Sequence, residues 1–495
     1  MLYNEDTWTR FVQKVEKGYK VKKYLHFDHR FEFPLRKNEI KDIVSNRNAV
    51  INHPFLPLIK VQIKTPRYRY QEAEEKYDLE TKVRPISFAS HFDTYLYAFY
   101  SFALSEKYQE YIKLNEFESC VLAYRNDLDG KCNVQFAHEA FEVIRNTGAC
   151  TAIAMDIKGY FDSIDHQTLK SCWCKVLGVK ELPEDQYSIF RSLSKYSYVK
   201  KNSILKHFRI NLKKIPKKEL PATLTDLIPG KTFVEKFNRL RKDKLFVVNE
   251  EHEKLSDGYK RFYGIPQGSA LSALLSNIYL IDFDKYMYEY GQQKGFVYRR
   301  YCDDILIVVP SDKASEVNKE VVELILKYKL IIQSKKTDLI EFMHDKNGKL
   351  RGFDLKKRRD DDKSFYTAKQ FKNLQYLGFE FNGQHAYIRP SSLSRYFRKM
   401  KARIVKTVSM SASKNSKSPI VFKQQLYNRY SHLGKRNFLS YAYNATKKYY
   451  KNSEGKRKEG MDSPAIRKQI SRHFDILQLE LESKTERRRK IKVKI

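Results

Sequence analysis

Arg300-Tyr301-Cys302-Asp303-Asp304-Ile305-Leu306-Ile307 is the stretch that decides the fold, together with Met155-Asp156-Ile157-Lys158-Gly159-Tyr160-Phe161-Asp162-Ser163-Ile164-Asp165-His166. In each stretch an acidic residue stands beside a short apolar run of β-type composition. The run from Ala149 to Met155 predicts a buried strand that stops at Asp156. Residues 297–309 predict a tight hairpin with Asp303 and Asp304 at its bend. Carboxylates from the two stretches are therefore expected to converge.

The net charge of the chain points to a polyanionic partner. The 495 residues include 95 Lys and Arg against 59 Asp and Glu, a formal charge of +36. Residues 391–495 alone carry 28 Lys and Arg against 7 Asp and Glu. A nucleic acid neutralised by such a surface would release counterions, which favours binding. A solvated basic surface without a ligand is the alternative.

Length and cysteine content limit the class of protein. A chain of this length predicts about two to four structural units. The six cysteines show no paired C-x-x-C spacing, which disfavours a disulfide scaffold and structural zinc. The opening residues are too polar for a signal peptide, and no apolar run approaches the roughly 18 residues of a membrane helix. We expect a cytoplasmic protein with no membrane partner.

The remaining patterns predict an α+β fold. Periodicity and capping residues predict helices over 93–114, 133–145, about 165–178 and 316–330. A hairpin over 375–388 is expected to turn at Asn382-Gly383. Less regular sequence predicts a partly helical N-terminal segment, loops and amphipathic helices over 180–261, and basic helices from 391, with mobile interruptions at 409–418 and 452–460.

The converging acids suit phosphoryl transfer with two Mg²⁺ ions about 4 Å apart. Hard cations prefer carboxylate oxygen, and Mn²⁺ is an alternative ion. Asp156 and Asp303 are the candidates to bridge both ions, with Asp304 as a supporting acid and the Ile157 carbonyl as a further ligand. Ordinary turn chemistry would explain a lone Asp-Asp pair, because Asp is common at turns.

These residues resemble the reverse transcriptase family, whose palm carries Asp-x-x-x-x-Phe/Tyr, Pro-Gln-Gly and Tyr-x-Asp-Asp motifs in that order. The middle motif stands here as Tyr263-Gly264-Ile265-Pro266-Gln267-Gly268-Ser269. The resemblance covers about Lys82 to Phe381. It implies a right-hand polymerase with fingers, a palm built on an antiparallel sheet backed by helices, and a helical thumb. The expected divisions are an N-terminal extension (1–80), fingers (81–150), palm (151–390, with an insertion at about 180–261) and a basic helical thumb and C-terminal region (391–495).

The resemblance also assigns roles around the incoming nucleotide. Phe161 matches the bulky residue that excludes a 2′-hydroxyl, which predicts dNTP substrates; an ordinary core Phe is the competing interpretation. Gln267 and Gly268 match the loop that lies against the incoming base pair, although a plain tight turn would also explain them. Arg84 and Arg125 match residues that grip triphosphate oxygens, for which a guanidinium is suited. Surface salt bridging is the alternative for both arginines.

Two further segments match family motifs after the acidic hairpin. Lys336 in Ser334-Lys335-Lys336-Thr337 could protonate the departing pyrophosphate; a solvated Lys is the alternative. Tyr376-Leu377-Gly378 resembles the hairpin that grips the primer strand, and Tyr301 is assigned to the same primer and template contact. Their aromatic rings could instead belong to the core. Tyrosines among the cations beyond residue 420 would stack on bases.

The implied function is an RNA-directed or unconventionally templated DNA polymerase. Motif details are most similar to bacterial antiphage reverse transcriptases, and to the type 3 system that pairs two such enzymes with a noncoding RNA. That class implies an RNA template or noncoding RNA, a DNA product, a partner reverse transcriptase and homo-oligomers. A retron or group II intron-type enzyme is the alternative within the family. A nucleic-acid-binding protein that has lost catalysis is the alternative from another class.

Overall fold

The computed structural model describes residues 2–493 apart from 72–75, 213, 216–218, 220, 255–259, 358–369, 412–420 and 453. Its helices are α1 (Glu5–Lys17), α2 (Phe33–Val44), α3 (Arg47–Ile51), α4 (Asp93–Leu114), α5 (Asn133–Thr147), α6 (Tyr160–Ser163), α7 (His166–Leu177), α8 (Glu184–Ser194), α9 (Lys201–His207), α10 (Phe233–Lys242), α11 (Ala270–Tyr279), α12 (Ile281–Lys294), α13 (Ala314–Lys327), α14 (Pro390–Ser411), α15 (Lys423–Tyr430), α16 (Phe438–Thr446), α17 (Pro464–Ile470) and α18 (His473–Val493).

The strands complete a mixed fold, and the predicted α+β class is confirmed. They are β1 (Leu58–Gln71), β2 (Lys76–Phe88), β3 (Cys150–Asp156), β4 (Ser197–Lys200), β5 (Val247–Val248), β6 (His252–Lys254), β7 (Lys260–Phe262), β8 (Val297–Tyr301), β9 (Asp304–Val309), β10 (Asp338–His344), β11 (Leu350–Asp354), β12 (Leu374–Tyr376), β13 (Phe379–Phe381), β14 (Ala386–Ile388), β15 (Tyr449–Lys451) and β16 (Arg457–Glu459).

A five-stranded antiparallel sheet, ordered β11-β10-β3-β9-β8, lies at the centre of the chain. Its middle strands are apolar on both faces, because each face packs against its own core. Alternate residues such as Ile153 and Ile305 join the core built with α4, α7 and α11–α13. Their neighbours Ala152 and Leu306 join a second core with α5 and the C-terminal helices. The two acidic segments thus end on a sheet that is supported from both sides.

Most predicted elements near this sheet are present. The helix over 93–114 has the predicted bounds, and α5, α7 and α13 lie within a few residues of the predicted ranges. The helix α7 begins after Asp165, whose side chain accepts a hydrogen bond from the Thr168 N–H, and ends at Gly178 with φ of 67°. The predicted hairpin over 375–388 is a three-stranded sheet, β12-β13-β14, with an additional turn at Leu377-Gly378.

A long two-stranded arm, β1 with β2, was not predicted. Thirteen residue pairs join its strands, from Ile59 opposite Phe88 to Gln71 opposite Lys76. The boundary predicted between residues 80 and 81 therefore falls inside β2. At the base of the arm β1 also pairs in parallel with β4 from the 180–261 segment, which contains strands as well as the predicted helices. Near the tip the Arg398 guanidinium of α14 lies 5.0 Å from the centre of the Tyr68 ring.

The C-terminal part is helical, as predicted for residues from 391. The long helix α14 packs on α18, and buried side chains such as Met400 and Leu477 join the second core. The segment 452–460 was predicted to be mobile; residue 453 lies outside the described residues, and Arg457–Glu459 form β16, which pairs with β15. The hairpin is held because Gln135 of α5 donates a hydrogen bond to the Tyr450 hydroxyl at 3.1 Å. The interruption predicted at 409–418 lies mostly outside the described residues, and α14 continues to Ser411.

In the part of the chain that the structure describes, no helix is long and apolar enough to cross a membrane.

Candidate active site

The three predicted acids lie at one end of the central sheet. Asp156 is the last residue of β3, Asp304 is the first residue of β9, and the two are directly opposite in the antiparallel ladder. Residues so paired have Cα atoms about 4.5–5.5 Å apart and side chains on the same face. Asp303 occupies the bend just before β9, and its carbonyl accepts a hydrogen bond from the Ile157 N–H at 3.0 Å. Residues distant in sequence thus meet as neighbours.

Burial and mutual repulsion raise the pKa of two of these carboxyls. Burial, followed by the charges of Asp303 and Asp156, raises the pKa of Asp304 to about 7. Burial is also the largest cause of the raised pKa of Asp303, and the Asp156 charge adds to it. Like charges crowded at low dielectric disfavour ionisation. A divalent cation would reverse this effect, because its charge stabilises the ionised carboxylates.

The donor chemistry fits a hard divalent cation. Carboxylate oxygens are the ligands that Mg²⁺ and Mn²⁺ prefer, and Asp156, Asp303 and Asp304 are the residues that would hold one. Within the described ranges no group of three or more His, Cys, Asp or Glu side chains is gathered closely enough to hold a metal ion. In this arrangement the Lys336 ammonium supplies the counter-charge to Asp156, with Nζ 2.5 Å from Oδ2. The carbonyl of Ile157 as a further ligand stays a prediction.

Phe161 and the Pro-Gln-Gly loop are bonded to each other and to the arm. Phe161 belongs to the short helix α6 and is half-buried, and its carbonyl accepts a hydrogen bond from the Ile265 N–H at 2.9 Å. The loop continues to Gln267, whose carbonyl accepts a hydrogen bond from the Ser87 N–H of β2 at 2.8 Å. Gly268 has φ of 130°, and a Cβ there would lie 2.5 Å from the Ser87 carbonyl oxygen. Only glycine allows this close approach of loop and arm.

The arm carries two cations on one face, and the charge of one of them acts on the acids. Arg84 is half-buried on β2, and its side chain makes no hydrogen bond or ion pair with any residue the structure describes. Lys82 lies two positions before it and so points to the same face of the strand. The charge of Lys82 is close enough to oppose the rise in the pKa of Asp303. The sequence interpretation missed Lys82, although the alternation with Arg84 in a strand would have revealed it.

The prediction for Arg125 needs correction. Its side chain is only 3% exposed and forms an ion pair with Asp127. Its guanidinium also donates to the Glu118 and Val121 carbonyls. Four of its five N–H groups are therefore engaged in the fold, so Arg125 is not available to grip a triphosphate. The salt-bridge alternative describes this residue better.

The residues predicted to bind the primer differ in burial: some lie in the core and others at the surface. Tyr301 is half-buried at the end of β8, directly opposite Asp304. Tyr376 is 4% exposed and belongs to the second core, so its ring matches the core alternative. Leu377 and Gly378 form the half-exposed turn between β12 and β13, with φ of 45° and 91°. The Leu377 carbonyl accepts a hydrogen bond from the Asn133 side chain at 2.9 Å, which fixes the turn to α5.

The C-terminal tyrosines are less exposed than base stacking would need. Tyr449 is exposed, and five other tyrosines are half-buried: Tyr427, Tyr430, Tyr441, Tyr443 and Tyr450. The Tyr441 hydroxyl accepts a hydrogen bond from Asn133 at 2.8 Å, so it also supports the turn at Leu377. The exposed basic side chains, rather than the rings, dominate this surface.

A buried ion pair holds the acidic bend, and the sequence interpretation missed it. Arg300 and Asp284 are both 0% exposed, and Arg300 Nε donates to Asp284 Oδ1 at 2.7 Å. The Tyr298 hydroxyl donates to the same oxygen at 2.7 Å. Arg300 Nη1 donates to the Cys302 carbonyl at 3.0 Å, which holds Cys302 in its left-handed conformation with φ of 58°. The available signal was the alternation in β8, which puts Arg300 on the same inward-facing side as Tyr298.

Comparison with known proteins supports a polymerase domain. A model of the family "Reverse transcriptase (RNA-dependent DNA polymerase)" matches residues 212–381, about a third of the chain. The matched range includes the Pro-Gln-Gly loop, Asp303 and Asp304, and begins after Asp156. No curated protein matches the chain. This part of the chain is thus similar to reverse transcriptases.

The solved structures that match this chain include telomerases. One is telomerase from Candida albicans in complex with a fragment of telomeric RNA, at 12% identity and a TM-score of 0.34, with 78% of this chain and 56% of that chain covered. Another is apo telomerase from Candida tropicalis, at 11% identity and a TM-score of 0.36, with 79% and 60% covered. This chain therefore spans less than two thirds of the length of these telomerase chains.

Replacing Asp284 by Asn should destabilise the protein, because it leaves the buried Arg300 charge without its partner. We expect the free energy of unfolding to fall by about 3–5 kcal/mol. Chemical denaturation measures the change. Glu323→Gln is the matched control, because its pair with Lys319 is exposed and should contribute less than about 1 kcal/mol. Equal unfolding midpoints for the two variants would show that the buried pair does not hold the bend.

Proposed function

We propose that this protein is a DNA polymerase that adds dNTPs to a growing strand. Its template would be RNA or an unconventional template. The observation that carries the proposal is the placement of Asp156 opposite Asp304, with Asp303 at the adjoining bend, next to a domain of the reverse transcriptase type. The basic C-terminal surface supports a nucleic-acid partner, because phosphate contacts dominate such binding. The intact acids argue against a binding protein that has lost catalysis.

The proposed chemistry is metal-assisted nucleotidyl transfer. Two divalent cations, when bound, would activate the terminal 3′-hydroxyl and neutralise charge on the leaving pyrophosphate. The Asp156, Asp303 and Asp304 carboxylates would fix the position of the reacting groups. Lys336, which contacts Asp156, would donate a proton to the pyrophosphate once that carboxylate has another counter-charge.

Different residues around the acids would contact the triphosphate, the base pair and the sugar of the incoming nucleotide. Arg84 and Lys82 on the arm would meet the triphosphate, since guanidinium and ammonium groups bind phosphate oxygens. Gln267 and Gly268 would lie against the incoming base pair, where the absence of a Cβ permits close approach. The half-exposed Phe161 ring would fill the space that a 2′-hydroxyl needs, which favours deoxynucleotides.

A role in antiphage defence is the finer proposal. It rests on the similarity of sequence motifs to defence-associated enzymes. The same similarity supports a protein that works with a noncoding RNA, a partner reverse transcriptase and further copies of itself. A retron or group II intron-type enzyme is the alternative, and its co-purified RNA would be its own template.

Asp303→Asn and Asp304→Asn should each abolish dNTP incorporation in Mg²⁺ or Mn²⁺, because the metal site loses charge and an oxygen ligand. We expect a loss of about a thousandfold or more, equivalent to about 4 kcal/mol. Both variants should fold at least as stably as the wild type, since they remove like-charge repulsion. Asp312→Asn, an exposed acid beyond the far end of β9, is the control. Equal incorporation by all four proteins would refute the site.

Phe161→Ala should admit ribonucleotides, because it empties the space beside the sugar. The ratio of kcat/KM for rNTP to that for dNTP should rise by about tenfold or more. Phe102→Ala, which removes another half-buried ring, should leave the ratio unchanged. Unchanged discrimination in the Phe161 variant would remove this residue from sugar selection.

Cells that carry the intact genetic system should plate fewer phage than cells with Asp303→Asn, if synthesis is the protective step. Efficiency of plating measures the difference, and the Asp312→Asn control should protect like the wild type. Sequencing of nucleic acid co-purified with the protein separates the alternatives. Equal plating together with recovery of intron RNA or a short branched product would contradict the defence role.

A further inference from the structure

Asn249 is a buried polar residue to which no sequence motif assigns a role. It follows β5 in the insertion of the palm, and its side chain is 6% exposed. Its backbone N–H donates to the Tyr196 carbonyl at 2.8 Å. Its side-chain amide donates to three further carbonyls, those of Ser194, Gly264 and Tyr263, at 3.1, 3.2 and 3.4 Å. Asn249 thus joins the insertion to the beginning of the Pro-Gln-Gly loop.

The Gly264 carbonyl is held by two donors. The His166 ring donates to it through Nε2 at 2.8 Å, and the Asn249 amide is the second donor. A carbonyl oxygen has two lone pairs, so this pair of donors satisfies it fully. The backbone at Gly264 has φ of 90°, and a Cβ there would lie 3.3 Å from the Asp162 carbonyl oxygen. The start of the loop therefore lies tightly against the segment that contains Phe161.

The same stretch of the loop fixes the backbone of Phe161. The Gly264 N–H donates to the Ile164 carbonyl at 2.8 Å, and the N–H of the next residue, Ile265, donates to the Phe161 carbonyl at 2.9 Å. Phe161 is half-buried, and its helix α6 has only four residues. In a helix this short nearly every backbone group belongs to a terminus, so its position depends on bonds from outside. The bonds to Gly264 and Ile265 are of this kind.

We propose that Asn249 is a positioning residue for sugar selection: it holds the Gly264–Ile265 segment and thereby sets the position of the Phe161 ring. The inference rests on the proposed function, in which that ring excludes a 2′-hydroxyl. Because ribose differs from deoxyribose by a single oxygen atom, even a small displacement of the ring would make room for it. Asn249 does not touch the nucleotide in this scheme. The insertion thus takes part in the choice between deoxynucleotides and ribonucleotides.

Asn249→Ala should weaken sugar selection, because the Gly264 carbonyl loses a donor and the loop beside Phe161 gains freedom. The assay extends a DNA primer on an RNA template with dNTP or with rNTP. The ratio of kcat/KM for rNTP to that for dNTP should rise by roughly fivefold, as expected for the loss of one buried hydrogen bond. In a Phe161→Ala background the same change should add less than about twofold, because the ring through which Asn249 acts is absent.

Asn437→Ala is the matched control. The Asn437 side-chain amide likewise donates to three backbone carbonyls, at 2.8, 3.1 and 3.4 Å, but it lies at the start of α16. This variant should lower stability and keep the wild-type ratio. If Asn249→Ala does not fold, His166→Phe removes the other donor to Gly264 and keeps a ring at that position. It should raise the ratio in the same way, and again by less than about twofold in the Phe161→Ala background.

An unchanged ratio in the variant that folds would overturn the inference, even if kcat/KM falls for both nucleotides, because Asn249 would then have a structural role only. A rise by the same factor with and without the Phe161 ring would also overturn it, since Asn249 would not act through that ring. If the wild type incorporates no dNTP, the proposed function fails and the inference fails with it. If the wild type does incorporate dNTP, these ratios judge the role of Asn249 separately from the proposed function.

Discussion

The buried ion pair between Arg300 and Asp284 is the constraint on which the site depends. A charge removed from water has a high cost unless it is paired and fully hydrogen-bonded. Here Asp284 accepts from Arg300 and Tyr298, and the remaining Arg300 donors reach the Cys302 carbonyl and Asn277. The network joins α12 and α11 to the bend, so Cys302 keeps its left-handed backbone. That conformation directs Asp303 and Asp304 toward β3, which ends at Asp156.

The electrostatics of the site follow from this geometry. Three carboxylates on one end of a sheet repel one another, and the raised pKa values of Asp303 and Asp304 express the repulsion. Basic residues from two separate segments act on the acids: Lys336, from the turn before β10, pairs with Asp156, and the charge of Lys82, from the arm, opposes the rise in the pKa of Asp303. Under the proposed function the acids would hold metal and these cations would meet phosphate.

The elements that could be predicted are those whose signals lie within one segment of the sequence. The strand before Asp156, the acidic hairpin and the helices α4, α5, α7 and α13 were predictable, because apolar periodicity and caps lie within each segment. The arm was missed although Ile59, Val61 and Ile63 alternate with polar residues at the start of β1, because Pro66 within the same run counts against a strand. The roles of Arg300 and Lys82 depend on neighbours far away in the sequence. The opposite holds for Arg125, whose partner Asp127 is only two residues away. This nearby acid predicted the role of Arg125 better than the family motif did.

The contact between Tyr68 and Arg398 joins the outer part of the arm to α14. An exposed cation over an aromatic ring contributes only about 0.5–1 kcal/mol. The base of the arm is fixed more firmly, because β1 pairs there with β4 and the Ser87 N–H donates to the Gln267 carbonyl. The arm is thus anchored strongly at one end and weakly at the other, so its outer part can separate from α14 while its base stays in place.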